Sequence, residues 1–309
     1  MGRSPAPPPQ VTGIVPKQTD GPSSTYFSGA SFQLHPSEPP PVTENKDPRY
    51  QDGAQLLINF EDRLRIAIDR RLPLSSNSLS MSLNERLPCS MRKLAHVWTV
   101  HVPAVSEATL VAKIFDPAYF SDEHSAYTDP FALLNISVSQ EVEAYRRLQD
   151  TNVPRFHGHY LMPIPTQGDR TVHVLLMEHI DGKDLRILVP VPKAKDVCAA
   201  HKLAIINMAL NLNLDAFVRG VYPQDFQPRN VILRRPQHCV EFCDKDDCPV
   251  RSEVDMDDVR GVLVDLEKVG LGDPMKKLRN LGYRTKVINK QRRRYLKRWL
   301  ENEIRHWGQ

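Results

Sequence analysis

The chain has 309 residues, of which 40% are hydrophobic and 25% charged, a composition typical of a globular protein with one large domain or two lobes. No apolar run reaches the roughly 18 residues of a transmembrane helix, and the first residues lack the apolar stretch of a secretory signal. Since five cysteines without such a signal favour a reducing compartment, we expect an intracellular protein, cytoplasmic or nuclear. The net charge of +4 comes from residues 276–309, which carry 12 Lys and Arg against 2 Glu and leave 29 basic and 35 acidic residues elsewhere.

The N-terminal region is rich in proline. Residues 1–50 contain 11 of the 26 prolines, and such a segment buries too little apolar surface to offset the entropy lost on ordering. We therefore predict that residues 1–50 form a disordered tail. The next segment, residues 54–72, carries Leu57, Phe60 and Leu64 at helical spacing and is predicted to be an amphipathic helix that packs on the core.

Two strands are clear in the region that follows. Residues 94–102 and 109–115 are rich in β-branched and aromatic side chains. A further strand is expected before residue 94, where the pattern is weak. Lys113 lies in the second clear strand, at the place of a lysine that pairs with nucleotide phosphates. Because a strand lysine is more often a solvent-facing charge, a functional role depends on the segments that follow.

Residues 140–148 have the pattern of a helix, with Val142 and Tyr145 on one apolar face. A phosphate-binding lysine needs a glutamate on such a helix to hold it by an ion pair. Glu141 is the first choice and Glu143 the alternative, although most helical glutamates are only solvated charges.

The apolar strand within residues 171–182 ends in Met-Glu-His-Ile-Asp-Gly and is interpreted as a hinge whose backbone groups face an adenine. Glu178 is the residue of this segment that we assign to a nucleotide site. Residues 196–219 form the longest helical pattern of the chain and lead into the next motif.

The stretch at residues 220–233 places Asp225 and Asn230 five residues apart before an apolar strand, and a second apolar strand ends at Asp265. Phosphoryl transfer from ATP requires an Asp that orients the attacking hydroxyl, then an Asn and an Asp that bind Mg²⁺. The alternative is that Asp225 and Asn230 only cap a turn, as these residue types often do.

In this order, the segments around Lys113, Glu141, residues 177–182, Asp225 and Asp265 resemble the protein-kinase-like superfamily over residues 80–272. The compact fungal kinase-like proteins, related in pattern to aminoglycoside and choline phosphotransferases, are the most similar group. The resemblance implies an α+β, two-lobed fold, with a small antiparallel-sheet lobe at residues 54–182, hinge included, and a reduced helical lobe at residues 183–275.

The resemblance also implies ATP and Mg²⁺ as cofactors and a hydroxyl acceptor on a protein or small molecule. Asp225 would then be the catalytic residue. Asn230 and Asp265 would ligate Mg²⁺, as hard cations take oxygen ligands, and Lys113, held by Glu141, would neutralise phosphate charge.

The chain departs from the kinase pattern in three places. No glycine occurs between Gly53 and Gly158, so the phosphate-covering loop, expected at residues 84–90, lacks the residues that let backbone N–H groups approach phosphate. Pro-Gln replaces His-Arg before Asp225, and the Asp-Phe-Gly triplet reads Asp-Leu-Glu from Asp265. These departures favour an alternative function, that of a pseudokinase that binds a protein partner.

Two further segments carry open alternatives. Residues 234–260 contain Cys239, Cys243 and Cys248 at irregular spacing, which favours an acidic surface loop over a zinc site. Residues 284–307 predict a basic amphipathic helix within the C-terminal segment 276–309. Nucleic acid, an anionic membrane or a calmodulin-like protein would suit its charge, but two tryptophans in its apolar stripe favour docking on the rest of the protein, and nucleic acid is the less favoured partner.

Overall fold

The computed structural model describes residues 25–42, 48–50, 55–87, 95–188, 196–236, 247–255 and 258–300. Within these ranges the protein has an α+β fold. The strands are β1 Ser31–Pro36, β2 Leu79–Arg86, β3 Ala95–Val102, β4 Ser106–Phe115, β5 Phe156–Ile164, β6 Arg170–Glu178, β7 Gly182–Asp184, β8 Val221–Pro223, β9 Val231–Arg234, β10 Gly261–Leu263 and β11 Val269–Leu271. The helices are α1 Phe60–Asp69, α2 Asp122–Ser125, α3 Pro130–Leu148, α4 Leu185–Leu188, α5 Ala199–Val218 and α6 Leu281–Leu300.

The N-terminal half is built on a closed antiparallel sheet in the order β1-β2-β3-β4-β6-β5. The circle closes where β1 pairs with β5, with His35 opposite Leu161. Side chains that alternate inward fill the interior, since a barrel of this size has room only for a packed core. This core includes Leu34, Met81, Val100, Ile114, Met162 and Val174.

Two expectations for the N-terminal region are corrected here. Residues 1–50, predicted to be a disordered tail, contain β1. The closed sheet has six strands in the described residues, and its first strand lies well before the region near residue 80 where strands were expected to begin. The high proline content of residues 1–50 predicted disorder. A strand of 6 residues can nevertheless form there, because β2 and β5 pair with it on its two sides. Residues 1–24 lie outside the described part of the chain.

The contribution of β1 is testable. Leu34 is fully buried in the closed sheet, so Leu34→Ala should lower the free energy of unfolding by roughly 2–5 kcal/mol. Val42, in the same proline-rich region but 47% exposed, provides the matched control, and Val42→Ala should have little effect. Urea unfolding followed by circular dichroism measures both; equal, small effects would mean that β1 does not form in solution.

The second half of the chain packs around α5. The strands β7, β9 and β10 form a small sheet, and β8 pairs with β11. The main apolar cluster joins α3 and α5 to these strands through residues such as Val142, Ile205, Leu233 and Leu263. The loop between β8 and β9 and the end of β10 therefore lie close to α3 and to the closed sheet.

Of the alternatives for the basic C-terminal helix, docking is confirmed for residues 281–300. Trp299 is buried, its ring lies 5.1 Å from that of Phe226, and Arg284 pairs with Asp215 of α5 at 2.7 Å. Residues 301–309, with the second tryptophan of the stripe, lie outside the described ranges. In the parts of the chain that the structure describes, no helix combines the length and apolarity needed to cross a membrane.

Candidate active site

The site is centred on Lys113, which lies in β4 between Val97 of β3 and Leu175 of β6. Its side chain is almost fully buried, and its ammonium lies 2.7 Å from a carboxylate oxygen of Glu141 on α3. The structure thus joins Lys113 to the first-choice glutamate. The alternative, Glu143, pairs with Arg147 on the helix surface at 2.8 Å.

Two further carboxylates reach the same ammonium from the segment after β10. Asp265 Oδ1 lies 2.8 Å and Glu267 Oε2 3.2 Å from Lys113 Nζ. The backbone at Asp265 is left-handed, with φ 61°, a conformation that Asp and Asn tolerate better than most residues. The sequence predicted a role for Asp265 but none for Glu267, whose only signal is its position two residues further on.

Three carboxylates share one buried ammonium, and the pKa of Lys113 and the pKa of Glu141 are both raised, whereas an isolated ion pair would lower that of the carboxyl. Burial opposes the charged form of Lys113, but Asp265, Glu141 and Glu267 outweigh it and raise its pKa well above the usual value. Burial is also the largest influence on Glu141 and raises its pKa; Lys113 lowers this pKa, Asp265 and Glu267 raise it further, and the result is about 7. The cluster therefore has an excess of negative charge when all three carboxylates are ionised.

This excess predicts a pH dependence of stability. The pKa of Glu141 is about 7 in the folded protein, against an ordinary 4.5. Protonated Glu141 therefore stabilises the folded state. This stabilisation is complete below pH 4.5 and is lost as the pH rises through about 7. From about pH 5 to pH 8 the wild type should lose about 2 kcal/mol of its free energy of unfolding through this group, and Glu141→Gln should not show this loss. Denaturant unfolding across the pH series measures it, with Glu143→Gln as the control; identical pH profiles for wild type and Glu141→Gln would contradict the assignment.

Asp225 and Asn230 lie on the loop between β8 and β9. Asn230 is buried, and its amide donates to the Asp225 backbone carbonyl at 2.9 Å. The N–H of Val264 donates to the Asn230 carbonyl at 2.9 Å, because β9 and β10 are paired directly beyond this point. Strand pairing thus places Asn230 beside the residue that precedes Asp265.

The carboxylate of Asp225 has a partner that the sequence did not indicate. Arg229 donates to Asp225 Oδ2 at 2.6 Å and also bonds Gln227. Arg229 lines a cavity beside the Lys113 cluster, whereas Asp225 is not among the residues that line this cavity. Four-residue spacing in the catalytic stretch was the signal available for this pair.

A cavity of about 510 Å³ opens beside the cluster. This volume lies within the range of small-molecule sites. Its polar wall includes Lys113, Glu141, Asn230, Asp265 and Arg229, and its apolar wall includes Val97, Val111, Met177, Ile180 and Ile232. The structure therefore brings five of the six predicted site residues, Glu178 included, onto the wall of one cavity, and places Asp225 next to it.

The Glu178 carboxylate makes contacts within the protein. Its side chain accepts the Arg155 N–H at 3.0 Å and pairs with Arg234 at 2.7 Å. These contacts hold the end of β6 against the start of β5 and the end of β9. Glu178 also lines the cavity, so its assignment to a nucleotide site stays a prediction.

The donor set suits a divalent cation and a phosphate ester. Asn230 and Asp265 offer hard oxygen ligands, which Mg²⁺ prefers, and Lys113 offers an ammonium to phosphate. Among the described residues, Glu141 Oε1 is buried without a hydrogen-bond partner, and Glu267 Oε2 has only its 3.2 Å ion-pair contact with Lys113, so the cluster has acceptor capacity beyond what Lys113 satisfies. Of the predicted phosphate-covering loop, residues 84–90, the first three residues belong to β2, and residues 88–90 lie outside the described ranges.

No protein-family model and no curated protein matches the sequence. Solved structures do match, at low identity. The structure of WaaP in complex with acyl carrier protein matches with a TM-score of 0.42 and 16% identity, over 72% of this chain and 83% of that one. The PknI kinase domain of M. tuberculosis matches with a TM-score of 0.36 and 16% identity, over 60% of this chain and 58% of that one, so less than two thirds of that chain is spanned. Likenesses of this degree say nothing about activity, which has to be argued from the residues of the site.

Proposed function

We propose that the protein is an ATP- and Mg²⁺-dependent phosphotransferase of the protein-kinase-like fold, which transfers the γ-phosphoryl group to a hydroxyl acceptor. The observation that carries this proposal is the position of Lys113, whose ammonium lies within 2.8 Å of both Glu141 and Asp265 on the wall of a cavity that Asn230 also lines. A Lys–Glu ion pair beside an Asp that can hold Mg²⁺, at the edge of one cavity, is the arrangement that protein-kinase-like phosphoryl transfer uses.

Lys113 and Glu141 would act as a unit on the nucleotide. The ion pair fixes the ammonium in a largely water-free place, where its charge stabilises phosphate oxygens more strongly than in water. Lys113 would neutralise phosphate charge, and Glu141 would prevent the lysine from turning away. Glu267, a third partner at 3.2 Å, would limit the movement of Lys113 further.

Asn230 and Asp265 would hold Mg²⁺. The ion, when bound, neutralises charge that develops on the phosphate oxygens. The protein's part is to keep the two ligands in place: Asn230 through its bonds to the Asp225 and Val264 backbones, Asp265 through its bond to Lys113.

Asp225 would orient the acceptor hydroxyl and accept its proton. In the structure its carboxylate accepts a hydrogen bond from Arg229 at 2.6 Å, which fixes its rotamer. Since Arg229 also lines the cavity, its guanidinium would be in reach of a phosphate group. In this assignment Arg229 would couple the occupancy of the cavity to the position of Asp225.

The predicted two-lobed arrangement and hinge follow from the same assignment. Residues 177–182 run along the cavity between β6 and β7, and their backbone would face the adenine. The closed sheet, in place of the small antiparallel-sheet lobe expected, would then form the wall above the nucleotide.

The test separates binding from turnover. We expect calorimetry to show ATP binding by the wild type that requires Mg²⁺, and Asp225→Asn to retain this binding while ADP formation with a panel of alcohol and protein acceptors falls by about 10²–10⁴-fold. Mg²⁺-dependent binding without turnover in the wild type would favour the pseudokinase alternative. No ATP binding at all would overturn the nucleotide site.

A further inference from the structure

Three side chains with metal-binding atoms meet at the N-terminal end of α5, away from the nucleotide cavity. Cys198 is the N-cap of the helix, His201 lies in its first turn, and Cys248 comes from the segment between β9 and β10. Their sulfur and nitrogen atoms all lie within 4.8 Å of one another. His201 is fully buried and Cys248 nearly so.

The tautomer of His201 is set by a contact on the far side of its ring. Its Nε2 lies 3.1 Å from the carbonyl oxygen of Val254, and a carbonyl only accepts hydrogen bonds, so Nε2 carries the proton. The lone pair is therefore on Nδ1. This atom lies 3.1 Å from the Cys198 sulfur and 3.6 Å from the Cys248 sulfur. A histidine that binds a metal through one nitrogen almost always donates its other N–H to such an acceptor.

The backbone places hydrogen-bond donors at both sulfur atoms. The N–H of His201 lies 3.4 Å from the Cys198 sulfur, and the N–H of Cys198 lies 3.5 Å from the Cys248 sulfur. The first N–H belongs to the first turn of α5 and the second to its N-cap residue. Two sulfur atoms that accept backbone N–H groups and face one imidazole lone pair form a donor set for a soft or borderline cation.

The distances fit tetrahedral zinc. With Zn–S of about 2.3 Å and Zn–N of about 2.0 Å, a sulfur and a nitrogen on one tetrahedral ion lie about 3.5 Å apart. The separations of 3.1 and 3.6 Å found here bracket that value. Thiolate and imidazole ligands together select zinc over Mg²⁺ or Ca²⁺, which prefer oxygen.

We propose that Cys198, His201 and Cys248 bind a zinc ion, with a fourth donor from water or from elsewhere in the chain. Binding through the two sulfur atoms would release the two thiol protons to solvent. The ion would fasten residues 247–255 to the start of α5. Glu253 of this segment pairs with Lys183 at 2.7 Å, and Lys183 lines the nucleotide cavity, so the zinc would also fix one side of that cavity.

From the sequence, an acidic surface loop is favoured over a zinc site at Cys239, Cys243 and Cys248. That preference is wrong for Cys248, which is 5% exposed and packs in the main core; Cys239 and Cys243 lie outside the described residues. The cluster found here joins residues about 50 positions apart, so no local spacing signalled it. It does not depend on the proposed phosphotransfer.

The first experiment measures metal in the full-length wild-type protein, purified without a metal-affinity step. Mass spectrometry of the metal content should give about one zinc per chain. Replacement by Co²⁺ should give the sulfur charge-transfer and ligand-field bands of tetrahedral cobalt thiolate. Protein that neither contains zinc nor takes up Zn²⁺ or Co²⁺ would overturn the proposal, as would a Cys198–Cys248 disulfide found by peptide mass spectrometry of freshly isolated protein.

Variants locate the ligands. His201→Gln and the double variant Cys198→Ser/Cys248→Ser should each lose the zinc, whereas Cys89→Ser, which changes a cysteine far from the cluster in sequence, should keep it. If the ligand variants fail to fold, the wild type decides alone: a chelator should lower its unfolding temperature, and added Zn²⁺ should restore it. A zinc content unchanged in both ligand variants would place the ion elsewhere and contradict the assignment.

Discussion

Asp265→Asn is expected to lower Mg²⁺-dependent ATP turnover by about 10²–10³-fold and to abolish the Mg²⁺ dependence of ATP binding. The substitution removes a charged oxygen ligand from the cavity wall and retains the side-chain shape. It is also the gentlest change available there, because Asn tolerates the left-handed backbone, φ 61°, that Asp265 adopts.

The fold should survive this change. Lys113 keeps Glu141 at 2.7 Å and Glu267 at 3.2 Å, and the loss of one of three like charges reduces repulsion in the cluster. Asp273→Asn, an exposed aspartate beyond β11, serves as the matched control and should leave binding and turnover unchanged. Calorimetry and ADP release measure the effects; ATP binding that keeps its Mg²⁺ dependence in Asp265→Asn would make Asp265 a structural partner of Lys113 only.

The second large effect is expected at a buried ion pair beside the closed sheet. Asp116, directly after β4, binds both terminal nitrogens of Arg170 at 2.8 Å, and both side chains have no exposed surface. The same carboxylate accepts from the Tyr26 hydroxyl at 2.6 Å and from the Ala118 N–H at 3.0 Å. Gln167 Oε1 accepts further bonds from Arg170.

Asp116→Ala should lower the free energy of unfolding by roughly 3–5 kcal/mol, because it leaves the Arg170 charge buried without a counter-charge. The Asp116→Leu/Arg170→Met double variant should recover much of this loss, since removal of both charges avoids the unpaired ion. Denaturant unfolding of the two variants measures the difference. A cost below about 1 kcal/mol for Asp116→Ala would mean that water reaches Arg170.

Protonation of Asp116 should break the same ion pair and destabilise the protein at low pH. Burial opposes ionisation of Asp116, but Arg170 and the hydrogen bonds outweigh it and lower its pKa below the ordinary 3.8. A lowered folded-state pKa contributes stability that is present above the ordinary value and lost as the pH falls through the folded value. As the pH falls below the ordinary 3.8, the wild type should therefore lose stability more steeply than the Asp116→Leu/Arg170→Met double variant, which has no carboxyl to protonate at this position.

Much of the candidate site was predictable because its residues are identified by their order along the chain. Lys113 on a strand, Glu141 on the next helix, Asp225 and Asn230 before a strand, and Asp265 after another lie in an order that covalent connectivity fixes. Residue type then restricts the chemistry, since an Asn and an Asp that follow each other in this way supply the oxygen ligands of a divalent cation.

Other features depend on contacts between residues distant in sequence. The strand β1, the three-carboxylate environment of Lys113 and the Cys198–His201–Cys248 cluster each require the folded chain to bring separate segments within a few ångströms. A local pattern reports only the helical or strand period and the flanking turn residues. It gave the helices α1, α3 and α5 and the strands β3 and β4, whose faces are apolar at a regular spacing. It missed β1, a strand of 6 residues with Leu34 as its one buried side chain, which needs its pairing with β2 and β5 to form.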